Sequence, residues 1–269
     1  MPDIIILVLE ILCAAIVAAL SYRLDLLTKS GAVAAFCVGS IVFVIGGVSA
    51  SAVLIVFFVV GSLLAKLPKK ESDSSEPTSR DWKQVLANGA IPSLALLLQA
   101  IKPELREWTG FLYLGAFAAM LADTSATEIG TRFGGEPISI ATFKKLPIGE
   151  SGGITVMGLV ASLVGVLVIV LVHYFFRGFG ELCQMQSVSW ALPVIIGGIA
   201  GSLADSWLGA TAQAKFHCDV CNKECETLIH CDQSTGKTSG VEWIDNNAVN
   251  LIASLVGGIV AIAMAGFLN

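Results

Sequence analysis

Apolar positions along this chain come in long blocks, without the strict alternation of a half-buried strand. The blocks fall at 4–21, 31–47, 50–66, 85–101, 111–130, 154–175, 191–212 and 248–268. A helix rises 1.5 Å per residue, so roughly 20 apolar residues cross a hydrocarbon core of about 30 Å. The pattern predicts an all-α fold, a polytopic transmembrane bundle of about eight spans, with residues 1–269 forming a single integral membrane domain. Asn88, Pro92 and Gln99 interrupt the fourth block and make it the least regular span. The first block is preceded by Asp3 and no basic residue, unlike a secretory leader. Residues 67–84, opening LPKKESDSSEPTSR, are Ser-, Pro- and charge-rich and read as a cytoplasmic linker. Residues 131–153 are Gly-rich and lead into the sixth span, and 213–246 form a loop with four of the seven cysteines.

Composition agrees with this outline. Hydrophobic residues make up 55% and charged residues 14%, which excludes an ordinary soluble domain and makes the lipid bilayer the first partner. Lys and Arg set the expected orientation. With eight spans, Arg23, Lys29, Lys66, Lys69, Lys70, Arg80, Lys83, Arg132, Lys144, Lys145, Lys215, Lys223 and Lys237 share one side. Only Lys102, Arg106 and Arg177 fall on the other. That asymmetry places the main loops in the cytoplasm and both termini outside. Dropping the fourth span would destroy the separation. The net charge of −5 gives no reason to expect a nucleic-acid partner.

Two carboxylates stand out, because hydrocarbon penalises an ionised acid that lacks a partner or a task. Asp123 lies in LADTSATEIG and Asp205 in LADSWLG, 82 residues apart and each in the cytoplasmic half of its span. The short match has the form of an internal echo. On a helix, Thr127 and Gly130 share the Asp123 face, whereas Glu128 lies about 140° round, nearer Thr124. Asp205 shares its face with Ser202 and Gly209. Two converging carboxylates repel unless a cation joins them, and Mg²⁺ takes oxygen ligands from carboxylates and phosphates. The alternative is that each Asp caps a broken helix or pairs with a nearby basic side chain. Lys144 and Lys145 precede GESGGIT, where glycines at a helix start would present amides to an anion. A plain Gly-rich turn with a positive flank would look the same.

ADTSATEIGTRFGG, FKK and GESGGIT together resemble the family containing plant phytyl-phosphate kinase and transmembrane protein 19. RDWKQVLANG, GSLADSWLGATAQ and DNNAVN extend the likeness in patches from about residue 22 to residue 260. The Asp-x-x-Ala pattern, Phe-Gly and Lys-Lys loop are also similar to dolichol and phytol kinases and CDP-diacylglycerol synthases, which use CTP with a divalent cation. The resemblance implies a CTP-dependent kinase that converts an isoprenoid (prenyl or phytyl type) monophosphate to the diphosphate at the cytoplasmic membrane face. On that footing Asp123 and Asp205 hold Mg²⁺ and nucleotide phosphates. Lys144 and Lys145 neutralise the transferring group, and Gly152 and Gly153 offer amides. Asn88, Thr124, Thr127, Glu128, Ser206, Asn246, Asn247 and Asn250 complete the candidate nucleotide and acceptor contacts. The apolar surface between helices takes the prenyl tail.

The competing classes are a cation-coupled transporter or channel, with Asp123 and Asp205 binding the moving ion, and a catalytically silent membrane scaffold. Polar motifs crowd the cytoplasmic side, which weighs against transport. The cysteines form a separate group. Cys218, Cys221, His230 and Cys231 would make a tetrahedral zinc set, although His217 and Cys225 compete for places in it. Reduced thiols or a disulfide are the other readings. Cys13, Cys37 and Cys183 read as packing residues. GKT in STGKTSG lacks the preceding Gly that a phosphate-binding Walker loop requires. His173 reads as interfacial, and Trp108, Trp190 and Tyr113 as membrane-belt residues.

Overall fold

The computed structural model describes residues 4–68, 79–179, 182 and 190–268, most of them in seven α-helices. These are α1 (Ile4–Arg23), α2 (Lys29–Ala65), α3 (Trp82–Ile101), α4 (Arg106–Phe133), α5 (Val156–Phe176), α6 (Ala191–Thr211) and α7 (Asn246–Leu268). All except α4 are long and apolar enough to cross a membrane. Several starts are set by side chains that satisfy the free amides of a first turn. Thr28 accepts from Gly31 N at 3.1 Å, Thr155 from Gly158 N at 3.0 Å, and Asp245 from Ala248 N at 2.9 Å. Asp81 and Gln84 form a reciprocal capping box, with both bonds at 3.0 Å.

α2 is a hairpin of two helical arms. Gly47 has φ 63° and ψ −163°, a region open to glycine alone. The chain turns back there. A Cβ on Gly31 would lie 2.1 Å from Arg80 O, and one on Gly61 would lie 3.1 Å from Arg80 Nη2. In an unbroken helix those glycines would stand about 45 Å apart. Tyr113 ties the turn from α4 by donating to Ala50 O at 2.8 Å.

The core lies along α4, where every residue from Phe111 to Ala122 except Leu112 is buried. Its contacts with α6 and α7 run through small residues, which let helices approach closely in lipid. A Cβ on Gly201 would lie 2.4 Å from Ala119 Cβ, and one on Gly115 would lie 2.6 Å from Gly257 O. The outer surface has the opposite character. Leu9, Leu12, Ile16 and Leu20 on α1, and Val160, Leu163, Val164 and Leu171 on α5, are exposed as a lipid-facing surface requires.

The basic loops gather at one end of the bundle. Lys66 Nζ donates to Leu24 O at 3.4 Å, Arg80 N to Leu26 O at 3.0 Å, and Arg132 Nη2 to Leu67 O at 3.0 Å. These loops also amend the all-α expectation, because several contain short strands. β1 (Ile138–Ser139) pairs antiparallel with β2 (Gly153–Ile154). Residues 213–246 hold β3 (Lys215–Cys218), β4 (Lys223–Cys225), β5 (Ile229–His230), β6 (Gln233–Ser234) and β7 (Gly236–Ser239). They form an antiparallel sheet of order β4-β3-β7 and a β5–β6 hairpin. The GKT string falls in exposed β7.

Other expectations change with packing. Residues 79–84 of the linker are ordered, since Arg80 bridges to Leu27 and Asp81 caps α3. Residues 69–78 of that linker, with Lys69 and Lys70, lie outside the described residues, as does Cys183. Tyr113 is buried beneath the α2 turn rather than at a membrane belt. His173 is also buried: its Nδ1 sits 3.0 Å from Ser49 Oγ, and its ring meets Trp190 edge-on with centroids 4.7 Å apart. Helix packing, not an interface, therefore accounts for His173 and Trp190. Trp108 stays exposed, as a belt residue would. Cys13 and Cys37 face outward instead of filling the interior.

Candidate functional site

Asp123 and Asp205 meet because of the glycine seam beneath them. Gly115, Ala119 and Asp123 recur at four-residue spacing along one face of α4, as do Gly197, Gly201 and Asp205 along α6. With Gly201 pressed against Ala119, one further turn on each helix brings the two carboxyl groups into hydrogen-bond contact. The echo between LADTSAT and LADSWLG thus corresponds to two helices that deliver an Asp to one place. Asp205 Oδ2 is buried and has no hydrogen-bond partner among the described residues. An orphaned carboxylate oxygen beside a second carboxyl group is a place that a cation relieves.

The surroundings of the pair open toward the loop end. Thr127, one turn beyond Asp123, is exposed, and Ser206 is half-buried beside Asp205. Asn250 lies seven residues before Gly257 on the same face of α7, about 10 Å nearer the loops and so level with the aspartates. Asn88 is half-buried on α3 and Asn246 is exposed at the start of α7. Asn247 Nδ2 donates to Asp245 Oδ2 at 3.3 Å beside the cap of α7.

Glu128 belongs to a different group. Its carboxylate pairs with Arg132, which also donates to Leu67 O at 3.0 Å and to Pro68 O at 3.3 Å. The Glu128 charge also acts on Arg80, whose guanidinium lies 5.7 Å above the Phe58 ring. Burial pulls the Arg80 guanidinium below its usual range, and the Glu128 charge opposes that shift. Glu128, expected among the nucleotide contacts, joins α4 to the loop through Arg132. Thr124 turns the same way, its Cγ2 3.8 Å from a Cβ built on Gly61.

The Gly-rich loop, expected as an amide cradle, is seated on α6. Gly152, at φ 87°, lies flat on α6, where a Cβ would be 2.4 Å from Ala210 Cβ. The Gly153 amide donates to Glu150 O at 3.3 Å. Gly152 thus fits the loop against α6, while Gly153 packs on Pro137 within the loop. Lys144 is exposed, and Lys145 pairs with Glu136 at 2.6 Å on the open surface. That bond raises the Lys145 pKa and lowers that of Glu136.

Two residues that the sequence did not single out complete the rim. Lys215 Nζ donates to Glu150 Oε1 at 3.0 Å and to Ser151 O at 3.4 Å. Glu226 accepts from Ser151 Oγ, and its charge acts on Asp205. Their only signal in the sequence is proximity to the cysteines, Lys215 before Cys218 and Glu226 beside Cys225. Among those cysteines the folding makes a selection. One ligand atom from each of Cys218, Cys221, His230 and Cys231 lies within 4.8 Å of all the others. Cys225 instead donates to Thr227 O at 3.7 Å, and His217 Nε2 sits 3.1 Å from Asn222 Oδ1. The Cys221 amide is foremost in lowering Cys218 to about 6, whereas desolvation and the neighbouring thiols push Cys231 up to about 11.

Comparison with known proteins covers nearly the whole chain. Residues 12–258 match the family described as Integral membrane protein DUF92. The chain is 31% identical to Protein PGR of Arabidopsis thaliana, across 93% of each protein. It is 30% identical to an uncharacterized membrane protein of Methanocaldococcus jannaschii, across 97% of this chain and 95% of that one. To Protein VTE6, chloroplastic, of Arabidopsis thaliana it is 25% identical, across 90% of this chain and 66% of the relative. No solved structure matches it. With its multi-pass apolar helices and a match of this extent, the chain belongs to the DUF92 family of integral membrane proteins.

Proposed function

We propose that this protein is a membrane phosphotransferase that moves the terminal phosphoryl group of CTP to an isoprenoid monophosphate, giving the diphosphate and CDP. The observation that carries the proposal is the contact between Asp123 and Asp205, with Asp205 Oδ2 buried and unsatisfied at the loop end of a closed helical seam. The likeness to the family of plant phytyl-phosphate kinase and the kinship with Protein VTE6, chloroplastic, support the same reaction. In this proposal the chain crosses the bilayer eight times, counting the two arms of α2 separately and including α4. Its basic loops face the cytoplasm and both termini lie outside.

The donor set suits Mg²⁺, since both side chains offer oxygen and nucleotide phosphates would supply further oxygens. Bound there, Mg²⁺ would neutralise phosphate charge between Asp123 and Asp205. The chain's own residues bind and orient. Asn250 and Ser206 stand beside the aspartates to receive nucleotide hydroxyl or phosphate groups. Thr127 marks the mouth through which the nucleotide enters. Lys144, free of the Glu136 pair, and Lys145, once released from it, bring positive charge to the acceptor phosphate. An acceptor phosphate oxygen forms the new P–O bond as the bond from the γ-phosphorus to its bridging oxygen breaks. No protein nucleophile is required, because positioning and charge neutralisation carry this class of reaction. The prenyl tail remains along the apolar helix surface, which keeps its phosphate at the interface.

Transport fits the seam less well. Directly beyond the aspartates, Gly115, Ala119, Gly201 and Gly257 close the space between helices at contact distance. An ion leaving the pair in that direction would meet packed backbone. The test is purified protein in lipid nanodiscs with Mg²⁺, γ-labelled CTP and a panel of prenyl and phytyl monophosphates. Labelled lipid diphosphate is the expected product. Absence of any labelled lipid, together with no protection of the protein by CTP and Mg²⁺, would contradict the proposal.

A further inference from the structure

The loop at 213–246 carries a second site that the phosphotransferase proposal does not use. We propose that Cys218, Cys221, His230 and Cys231 bind one structural Zn²⁺, and that this ion holds the loop against the carboxyl site. Cys221 Sγ lies 3.6 Å and Cys231 Sγ 3.2 Å from His230 Nδ1, and the four donor atoms fall within 4.8 Å of one another. Around a tetrahedral zinc, sulfur and nitrogen ligands stand about 3.5–3.8 Å apart. The four donors therefore stand close enough for small side-chain adjustments to place them around one zinc ion, and three sulfurs with one imidazole favour zinc over an oxygen-seeking cation.

The backbone is shaped to the same end. The amides of Cys221 and Val220 donate to Cys218 Sγ, and Asn222 N closes the turn on Cys218 O at 2.8 Å. Asn222 adopts φ 54° to do so. Amide donors aimed at a sulfur are the outer-shell support that fixes a metal-bound thiolate. The β5–β6 hairpin supplies the other two donors through a two-residue turn, with Cys231 at φ 51° and Asp232 at φ 57°. Such turns favour Asn, Asp or Gly at both positions. A cysteine held in the left-handed region carries strain that a bond to metal explains. Cys225 and His217, equally eligible by spacing, are bonded elsewhere, so the fold sorts ligands from bystanders.

The same module reaches the membrane end of the protein. Lys215 opens the β3 strand that ends in Cys218, and it grips Glu150 and Ser151. Glu226 lies between the ligand pairs and binds Ser151 while its charge acts on Asp205. Zinc would thus fix the strand and hairpin that place Lys215 and Glu226 on the loop over α6. The metal site stands independently of the phosphotransferase proposal, because every observation for it lies in the loop itself.

The experiment uses full-length protein purified without chelator, with elemental analysis of bound metal. One zinc per chain is expected in the wild-type protein and in Cys225→Ser, with loss from Cys221→Ser and Cys231→Ser. Cobalt exchanged into the wild-type protein should show the intense visible absorption of a tetrahedral thiolate site, a readout that needs no variant to fold. Removing zinc should speed hydrogen exchange at 149–152 and 213–245 while leaving α4 unchanged. Three results would overturn the proposal. They are metal-free wild-type protein that takes up neither zinc nor cobalt, equal zinc content in Cys221→Ser and wild type, or a disulfide joining two of the four residues in the native protein.

Discussion

Replacing Gly152 by Ala tests how the Gly-rich loop is seated over the carboxyl pair. Gly152 has φ 87°, so any side chain there adopts the left-handed region at a cost of about 1–2 kcal/mol. The added Cβ would also lie 2.4 Å from Ala210 Cβ and 2.6 Å from both Ala210 Cα and N. Two of those atoms are helix backbone, which cannot rotate aside, and such overpacking costs about 1–3 kcal/mol. The expected loss is therefore about 2–5 kcal/mol, taken up by lifting the loop from α6. Gly135→Ala provides the control, because Gly135 has φ 73° but nothing within 4 Å of its would-be Cβ. That variant should lose only the conformational part, about 1–2 kcal/mol. Thermal unfolding in detergent by tryptophan fluorescence gives the stability ranking, and hydrogen exchange at 149–155 locates the change. Equal stability of the two variants, or unaltered exchange in that loop for Gly152→Ala, would refute the reasoning.

Gly47→Ala should destabilise the α2 hairpin by about 1–3 kcal/mol, since the turn conformation there is closed to other residues; an unchanged melting temperature would argue against the hairpin. Tyr113→Phe removes the hydroxyl bond to Ala50 O and should cost about 1–3 kcal/mol by the same assay. Arg132→Met leaves Glu128 with a half-empty site between buried groups and should cost about 3–5 kcal/mol. Adding Glu128→Leu to Arg132→Met should recover much of that loss, and a double variant no more stable than the single would contradict the pairing.

Much of the membrane architecture was legible because hydrocarbon imposes long apolar runs, and those runs mark the helices to within a few residues. The Asp123 and Asp205 encounter was legible for a related reason: a carboxylate amid small residues at equal depth in two spans has few other uses. Contacts fixed by tertiary packing were not legible. Nothing in the periodicity of α4 says that the Glu128 charge acts on Arg80, which lies 48 residues earlier at the end of a linker. Nor does spacing reveal that Gly152 packs on Ala210, because a glycine for close approach and a glycine for an anion look alike in sequence. His173 and Trp190 misled for the opposite reason, as amphipathic side chains suit a buried bundle end as well as a membrane interface. The short strands of 213–246 lie in segments of two to four residues, too brief for an alternating pattern to emerge. Spacing brought Cys218, Cys221, His230 and Cys231 forward together with His217 and Cys225, and only the fold separates the four that converge from the two bonded elsewhere.

If Asp123 and Asp205 form one Mg²⁺-nucleotide site, as proposed, steady-state turnover of their two neutral variants must report it. Wild-type protein, Asp123→Asn and Asp205→Asn would be compared in nanodiscs for Mg²⁺-dependent transfer from CTP to a prenyl monophosphate, with folding checked by thermal unfolding. Each variant should stay folded and lose turnover by about 100-fold or more, as removal of a metal-site group does. Full turnover in either folded variant would contradict a shared site.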